Sequence, residues 1–488
     1  MADADRLRLA ARVPADYNGF GYAPILADDM RAVAGVGTDI AAALETSNLN
    51  VGLADADRLQ AGVDRAAAAA SATLAAAIVP ASADRTVGRR VNDAAQWPII
   101  RATPAWGINS AGNLDEVAAD SPRWDFDPLT LAPLGLAFAP ARTNSITNPR
   151  AEGAVAGTPG TAPTGWGSRP SGVPNTEVIG STTRRGVPGV LVRFWGVPTS
   201  TGAQTWQLTS SVAHTVGQVL CSSIYVELVA GTTTNLGNFG VRNNLANDGG
   251  TAFTLGAFTR LSRLWTSTVS PATPGLRWSY NDTVTPVDFT IFVGAPSLEI
   301  NVPYPSSPIL PPVGTPGVST RAQGICDIPI RNLGTRYNRR AGTIILDWNS
   351  QTGPFTSAAD TDFMTLVSLG DLSVNEVMGL LINPAHGSVV FRRTVGGVSQ
   401  TTAAINGVTP PAAGETIRCA FAWDIDAGLM QVAARGAVGT QLTGQTVLPI
   451  ITHLMPGRYS TTRPLAGRIA GMEIRPAGFF GTSLATLT

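Results

Sequence analysis

The chain has 488 residues, 34 basic and 34 acidic side chains, a formal net charge of zero and only 14% charged residues. That length accommodates roughly three domains of ~150 residues and sizeable cores without cross-links. The charge balance excludes the basic field of a nucleic-acid binder, and the 44% hydrophobic content excludes a disordered chain.

Residues 1–91 read as a helical attachment or oligomerisation segment. ADADRL occurs twice, beginning at Ala2 and Ala54, and its aspartates suit the first turn of a helix. After the second copy, Leu59, Val63, Ala67, Ala70, Leu74 and Ile78 recur at steps of three and four. That spacing is one helical face, and Pro80 ends it. A shorter helix is expected over residues 39–45. The N-terminus has no apolar core of signal-peptide type, and no run of ~18 apolar residues exists. The expectation is synthesis in a bacterial cytoplasm without a signal peptide and without membrane insertion.

Residues 92–148 read as a compact linker module of short strands and loops, wedged against a neighbouring domain. Short apolar pieces (WPIIRA, LGLAFAP) alternate there with turn chemistry (NSAGN, DPLT). From 149 to 300 the pattern is all-β. VPGVLVRFWGV, VLCSSIYVELVA, GLRWSYND and DFTIFVGAPSLEI are strand-like runs separated by Asn, Gly, Pro and Thr. In CSSIYVELVA, alternation puts Ile224, Val226 and Leu228 on one face and Tyr225 and Glu227 on the other. Even spacing of short strands predicts a jelly roll or sandwich. Residues 301–320 (NVPYPSSPILPPVGTPGVST) read as a semi-extended linker. A second all-β domain fills 321–488. The predicted fold class is therefore mainly β, two jelly-roll or β-sandwich domains after an N-terminal α-helical segment.

Little in the chain points to catalysis or a cofactor. The three cysteines, Cys221, Cys326 and Cys419, are far apart in apolar runs and read as buried free thiols. His214, His386 and His453 lie in no nucleophile elbow and no metal-ligand spacing. The chain has no lysine, so a phosphate loop of the Walker type is excluded. Glycoside hydrolysis needs two facing carboxylates, and the last domain has several acids but no strand of E-x-D-x-x-E type. Asp360/Asp362 and Asp424/Asp426 have calcium-ligand chemistry and equally the chemistry of solvated turns. No catalytic residue, metal or cofactor is expected, and the chain is read as a non-enzyme.

Sugar binding asks for less: an aromatic plate flanked by hydrogen-bonding groups. RWSYND (residues 277–282) places Trp278 and Tyr280 on one strand face, with Arg277, Asn281 and Asp282 beside them. Trp195 and Trp206 are further candidates. The competing reading is that these rings fill the sandwich core.

Residues 97–144 contain Arg101-Ala102-Thr103, Gly112, Pro122-Arg123-Trp124-Asp125-Phe126-Asp127-Pro128, Gly135-Leu136, Pro140 and Arg142-Thr143-Asn144. In that order and spacing they resemble a recurrent module of bacteriophage tail and virion appendage proteins, also found in gene transfer agents. The family often has Glu where this chain has Ala139. The stretches 148–166 and 294–330 are similar to the entry into a carbohydrate-binding-module-like jelly roll and the exit into a concanavalin-A-like or laminin-G-like sandwich. The resemblance covers about 97 to 488. It implies a tail fibre, tail spike or head spike on a virion or phage-like particle, homotrimeric, contacting other virion proteins and host surface polysaccharide. A structural decoration protein without glycan binding and a polysaccharide depolymerase remain alternatives. Asp125, Asp127 and Arg142 are expected to hold turns and domain junctions.

Overall fold

Strict alternation builds the first sandwich. In Val187–Gly196, Val190, Val192 and Phe194 are buried while Leu191, Arg193 and Trp195 face outward. This strand sits in a five-stranded antiparallel sheet ordered Thr259–Thr266, Val219–Thr232, Val287–Ile300, Val187–Gly196, Asn175–Arg184. A three-stranded sheet, Gln204–Gln207, Gly275–Tyr280, Leu236–Arg242, closes over it. Between them Phe194 stacks on Phe289 and meets Trp278 edge-on, with centroids 5.3 and 5.1 Å apart. Such offset and edge geometry is what ring quadrupoles favour. Ile224 and Val226 point into this core with Leu228 packed against it, as alternation predicts.

The computed structural model describes residues 88–89, 97–167, 172, 175–243, 255–350, 363–383, 388–400, 402–406, 408–409, 411–412, 414–459 and 464–488. The chain divides into two units, Met1–Ala81 and Ser82–Thr488. The helical face from Leu59 to Ile78 and the helix over 39–45 lie outside the described residues. Of residues 1–91 only Gly88–Arg89 is described, as a strand antiparallel to Gly467–Arg475.

The second sandwich packs two large sheets. One is eight-stranded and centres on Ala341–Ser350, which pairs with Thr416–Asp424 on one side and Gly467–Arg475 on the other. The other is seven-stranded and centres on Met364–Gly370, Val377–Asn383 and Ser388–Val395. Ile344, Leu346, Trp348, Phe391, Phe421 and Trp423 fill the space between. Burial of their apolar surface is the main driving force for this layer.

Residues 97–148 form short strands and loops that pack against both sandwiches. Pro133–Phe138 pairs with Gly467–Arg475, and Trp124–Phe126 pairs with Pro133–Phe138, so both extend the eight-stranded sheet. Gly135 makes this pairing possible. Its φ is +112°, and a Cβ there would sit 2.3 Å from the Ile469 carbonyl oxygen. Trp106 and Leu114, from the same module, cover the outer face of the first sandwich beside Tyr225 and Phe292. Tyr225 therefore points away from the first core, as alternation requires, and is still buried.

Residues 302–311 are packed rather than loosely extended, whereas most of 312–318 is exposed. Val302, Tyr304, Ser306, Ser307 and Ile309 are buried, and Ser319–Arg321 pairs with Arg142–Asn144. Asn144 Nδ2 donates to the carbonyls of Pro296 and Ile309, and its Oδ1 accepts from the amides of Ile146 and Leu298. Asp127 Oδ1 accepts from the amides of Leu129 and Thr130, holding a turn. Asp125 binds Arg468 Nε at 3.0 Å, and Arg142 donates to the Tyr304 hydroxyl. Each of the three has a bond that fixes backbone or junction.

Candidate functional site

The outer face of the five-stranded sheet carries a polar patch around one tryptophan. Register places Asn175, Trp195 and Asp288 in one row across three strands, and Glu177, Arg193 and Thr290 in the adjacent row. Phe194, between Arg193 and Trp195, goes to the core, so the strand's pleat forces both neighbours outward. Arg193 donates from Nε and Nη2 to the two carboxylate oxygens of Asp288 at 2.8 and 2.7 Å. Its guanidinium carbon lies 4.9 Å from the centroid of the Trp195 ring. The hydrogen bond to Arg193 draws the Asp288 carboxyl below its ordinary range, and the same bond raises Arg193.

Trp195 stands apart from the other tryptophans. Of the ten, seven are buried, and Trp124 and Trp265 pack against core clusters. Trp195 is half-buried and belongs to no core cluster. A ring held by charged and amide neighbours at a sheet surface has the two parts that sugar recognition uses. The ring, with the Arg193 guanidinium over one side, supplies apolar surface of the kind C–H groups stack on, and the surrounding carboxylate, amide and hydroxyl groups can bond hydroxyls.

The remaining sequence candidates divide between core and turn. Trp206 and Trp278 are 0% exposed and Tyr280 is 3% exposed. Their rings fill the first core, where the Trp278 indole N–H donates to the Tyr280 hydroxyl at 2.9 Å. Burial pushes the Tyr280 phenol up to about 12. These three rings therefore offer no stacking face, and the core reading holds for them. Arg277 is half-buried between Trp278 and Leu276, and its register partners are Thr205 and Gly240, all on the three-stranded sheet. Asp282 accepts from the amides of Thr285 and Val284 and from the Thr285 hydroxyl, and these bonds lower its pKa. Asn281 takes part in the same turn through Asn235 and Leu236. The structure thus separates Arg277, on the opposite sheet, from Trp195. Residues 281–286 run directly into Val287, which pairs with Gly196.

Arg193, Asp288, Asn175, Glu177 and Thr290 were not singled out by the sequence reading. The alternation Val190, Val192, Phe194 against Leu191, Arg193, Trp195 is a signal for Arg193; Asn175, Glu177, Asp288 and Thr290 join it only through cross-strand register.

In the second sandwich the acids are engaged. Asp347 pairs with Arg418, Asp426 with Arg340, Glu415 with Arg435 and Glu473 with Arg475. Asp424 Oδ1 accepts from the amides of Asp426 and Ala427, a turn arrangement. Asp360, Asp362 and His386 lie outside the described residues. Among the described residues no cluster of three or more His, Cys, Asp or Glu suits a metal. His214 is bonded through both ring nitrogens to the carbonyls of Val212 and Val269. The three thiols are buried, and burial pushes Cys221 and Cys419 up to about 12. Trp348, Trp423 and Tyr459 are buried as well.

One rim of this sandwich is apolar. Glu376 accepts from the amides of Gly396 and Ile450 at 2.6 and 2.8 Å, joining three loops. Leu372, Val374, Val398, Val447 and Ile450 are exposed on those loops and the adjoining turn.

No protein-family model matches the chain, and no curated protein matches it. Partial similarity to solved structures exists. The CBM40 of the Ruminococcus gnavus IT-sialidase bound to alpha2,6 sialyllactose is 17% identical, with a TM-score of 0.25, over 31% of this chain and 85% of that one. The NanB sialidase from Streptococcus pneumoniae is 13% identical, with a TM-score of 0.27, over 33% of this chain and 26% of that one. A heptameric SAP-like pentraxin from Limulus polyphemus is 10% identical, with a TM-score of 0.22, over 30% of this chain and 69% of that one. The assignment of this chain as a mainly β protein of two sandwiches rests on its own sheets.

Proposed function

We propose that this chain is a glycan-binding virion appendage, a tail fibre, tail spike or head spike of a phage or phage-like particle. In this reading the two joined sandwiches project from the particle and the first binds host surface polysaccharide at Trp195. The observation that carries the binding reading is Trp195 itself, the one tryptophan outside every core cluster, set among Arg193, Asp288, Asn175 and Glu177. Weak single sites suit such a role, because many copies on one particle raise avidity through effective concentration. Attachment to other virion proteins and trimerisation fall to residues 1–91. The role is binding without turnover; the arginine-paired acids of the second sandwich support this, since each is already neutralised locally.

The exposed rim of Leu372, Val374, Val398, Val447 and Ile450 favours a second reading, a decoration protein that makes protein contacts only. A glycan array and a panel of capsular polysaccharides, screened with the full chain, separate the two. Saturable binding to a defined glycan supports the appendage reading. A folded sample that binds none supports the decoration reading.

A further inference from the structure

Arg123 and Arg321 are each 2% exposed, deep at the junction between the two sandwiches. Both donate from Nη1 to the same acceptor, Ser307 Oγ, at 2.7 and 2.6 Å. Two guanidinium groups sharing one hydroxyl are close, and in a dry interior their repulsion is weakly screened. Neither has a carboxylate in direct hydrogen bond. Asp125 is 3.9 Å from Arg123 Nε and is bonded instead to Arg468 and to the Ile108 amide. Both oxygens of the buried Glu299 are taken by Ser306, through its amide and its hydroxyl.

Three donors remain unused there: Nε and Nη2 of Arg123, and Nε of Arg321. Buried polar groups are otherwise satisfied in folded proteins, so each unused donor asks for a partner. The charges give the partner's sign. Among the described residues, Arg123, Arg321 and the partly buried Arg468 lie with the buried Asp125 and Glu299; Arg468 also acts on the less buried Asp127, and Arg142 adds to the positive side. Burial first and Arg123 next draw Arg321 down to about 9, so its surroundings resist the charge that it carries.

We propose that the junction is a built anion site, with Arg123 and Arg321 holding a small monovalent anion of chloride type through their unused N–H groups. The anion neutralises the excess buried charge. It joins Arg123, the residue before the strand Trp124–Phe126 of the second sandwich's sheet, to Ser307 and to the strand Ser319–Arg321. A single water satisfies donors but leaves the charge, and so is the competing occupant.

The test uses the full chain. Thermal unfolding is followed in sodium chloride and in sodium gluconate at matched ionic strength, and crystals grown with sodium bromide give the halide position by anomalous scattering. The expected result is a melting temperature that rises by a few degrees and saturates with chloride but not with gluconate, as mass action requires of a ligand bound only to the folded state. It comes with a bromide peak in hydrogen-bonding range of Arg123 and Arg321. Arg321→Met should abolish the chloride dependence; if that variant does not fold, the bromide position in the wild-type crystal decides alone. No bromide between the two arginines overturns the proposal, whatever the melting curves do.

Discussion

Trp195 and Trp278 are chemically alike and lie on strands of facing sheets, yet they make opposite predictions. Trp278→Ala removes a fully buried ring that touches Phe194 and Phe239. A loss of about 3–5 kcal/mol in unfolding free energy is expected, as for large-to-small changes in a core, and chemical denaturation measures it. Trp195→Ala leaves the core intact, so its stability cost should stay near ~1 kcal/mol or below, as at most surface positions. Arg193 and Asp288 add a pH signature. The Asp288 carboxyl is depressed in the folded state by its bond to Arg193. Its contribution is therefore present above the unfolded carboxyl range and is lost as pH falls through the lower folded value. A carboxyl titration followed by NMR should place Asp288 below ordinary aspartates, and Arg193→Gln should return it to the ordinary range. With 55% of Asp288 exposed, the effect on stability is small.

The sequence already held the choice between the two tryptophans. Leu276, Trp278 and Tyr280 alternate with Arg277 and Ser279, so one face of that strand is apolar and the other polar; the core rule assigns the rings inward. In the neighbouring case Val190, Val192 and Phe194 own the apolar face and leave Trp195 outside. Counting aromatics near polar residues misses this, because a strand's near neighbours in sequence lie on opposite faces.

At the scale of elements, alternation correctly divided Ile224 and Val226 from Tyr225, and the strand-rich texture after residue 149 was legible. That residues 92–148 wedge against a neighbouring domain was legible too, but not which strand they pair with. The pairing of Leu136 with Ile469 joins positions more than 300 residues apart, and local composition carries no trace of such a partner. Gly135 is the element-scale test. Gly135→Ala puts a methyl group against the Ile469 carbonyl in a backbone region that L residues avoid. Faster amide exchange in Pro133–Phe138 and Gly467–Arg475 is expected, whereas unchanged exchange there would contradict the account of this pairing. Glu376 offers a second test. Glu376→Ala leaves the amides of Gly396 and Ile450 without their acceptor. Both bonds are exposed, so water can replace the carboxylate and a loss of no more than about 1 kcal/mol is expected; faster hydrogen exchange at those two amides reports it directly.

For the unit Ser82–Thr488 as a whole, the segment 301–320 decides how the sandwiches behave. A composition rich in Pro, Gly and Ser reads as a spacer, but Val302, Tyr304 and Ile309 are buried and Asn144 ties its backbone to Pro296. The two sandwiches should therefore resist limited proteolysis within the buried stretch 302–311 and melt together. Early cleavage there, releasing the two separately, would mean that the junction is looser than its hydrogen bonds indicate. Arg123, Asp125, Gly135, Arg142 and Asn144, all within residues 97–144, contribute to this junction.

The central claim is that Trp195 anchors a glycan. Its most direct test is a calorimetric titration of the full chain and of its Trp195→Ala variant with the glycan that the wild-type protein binds best. The account predicts saturable binding that weakens at least about tenfold in the variant, the loss expected when an anchoring ring is truncated, with folding unchanged. Equal affinity in the two proteins would contradict it and move the site elsewhere on the sandwiches.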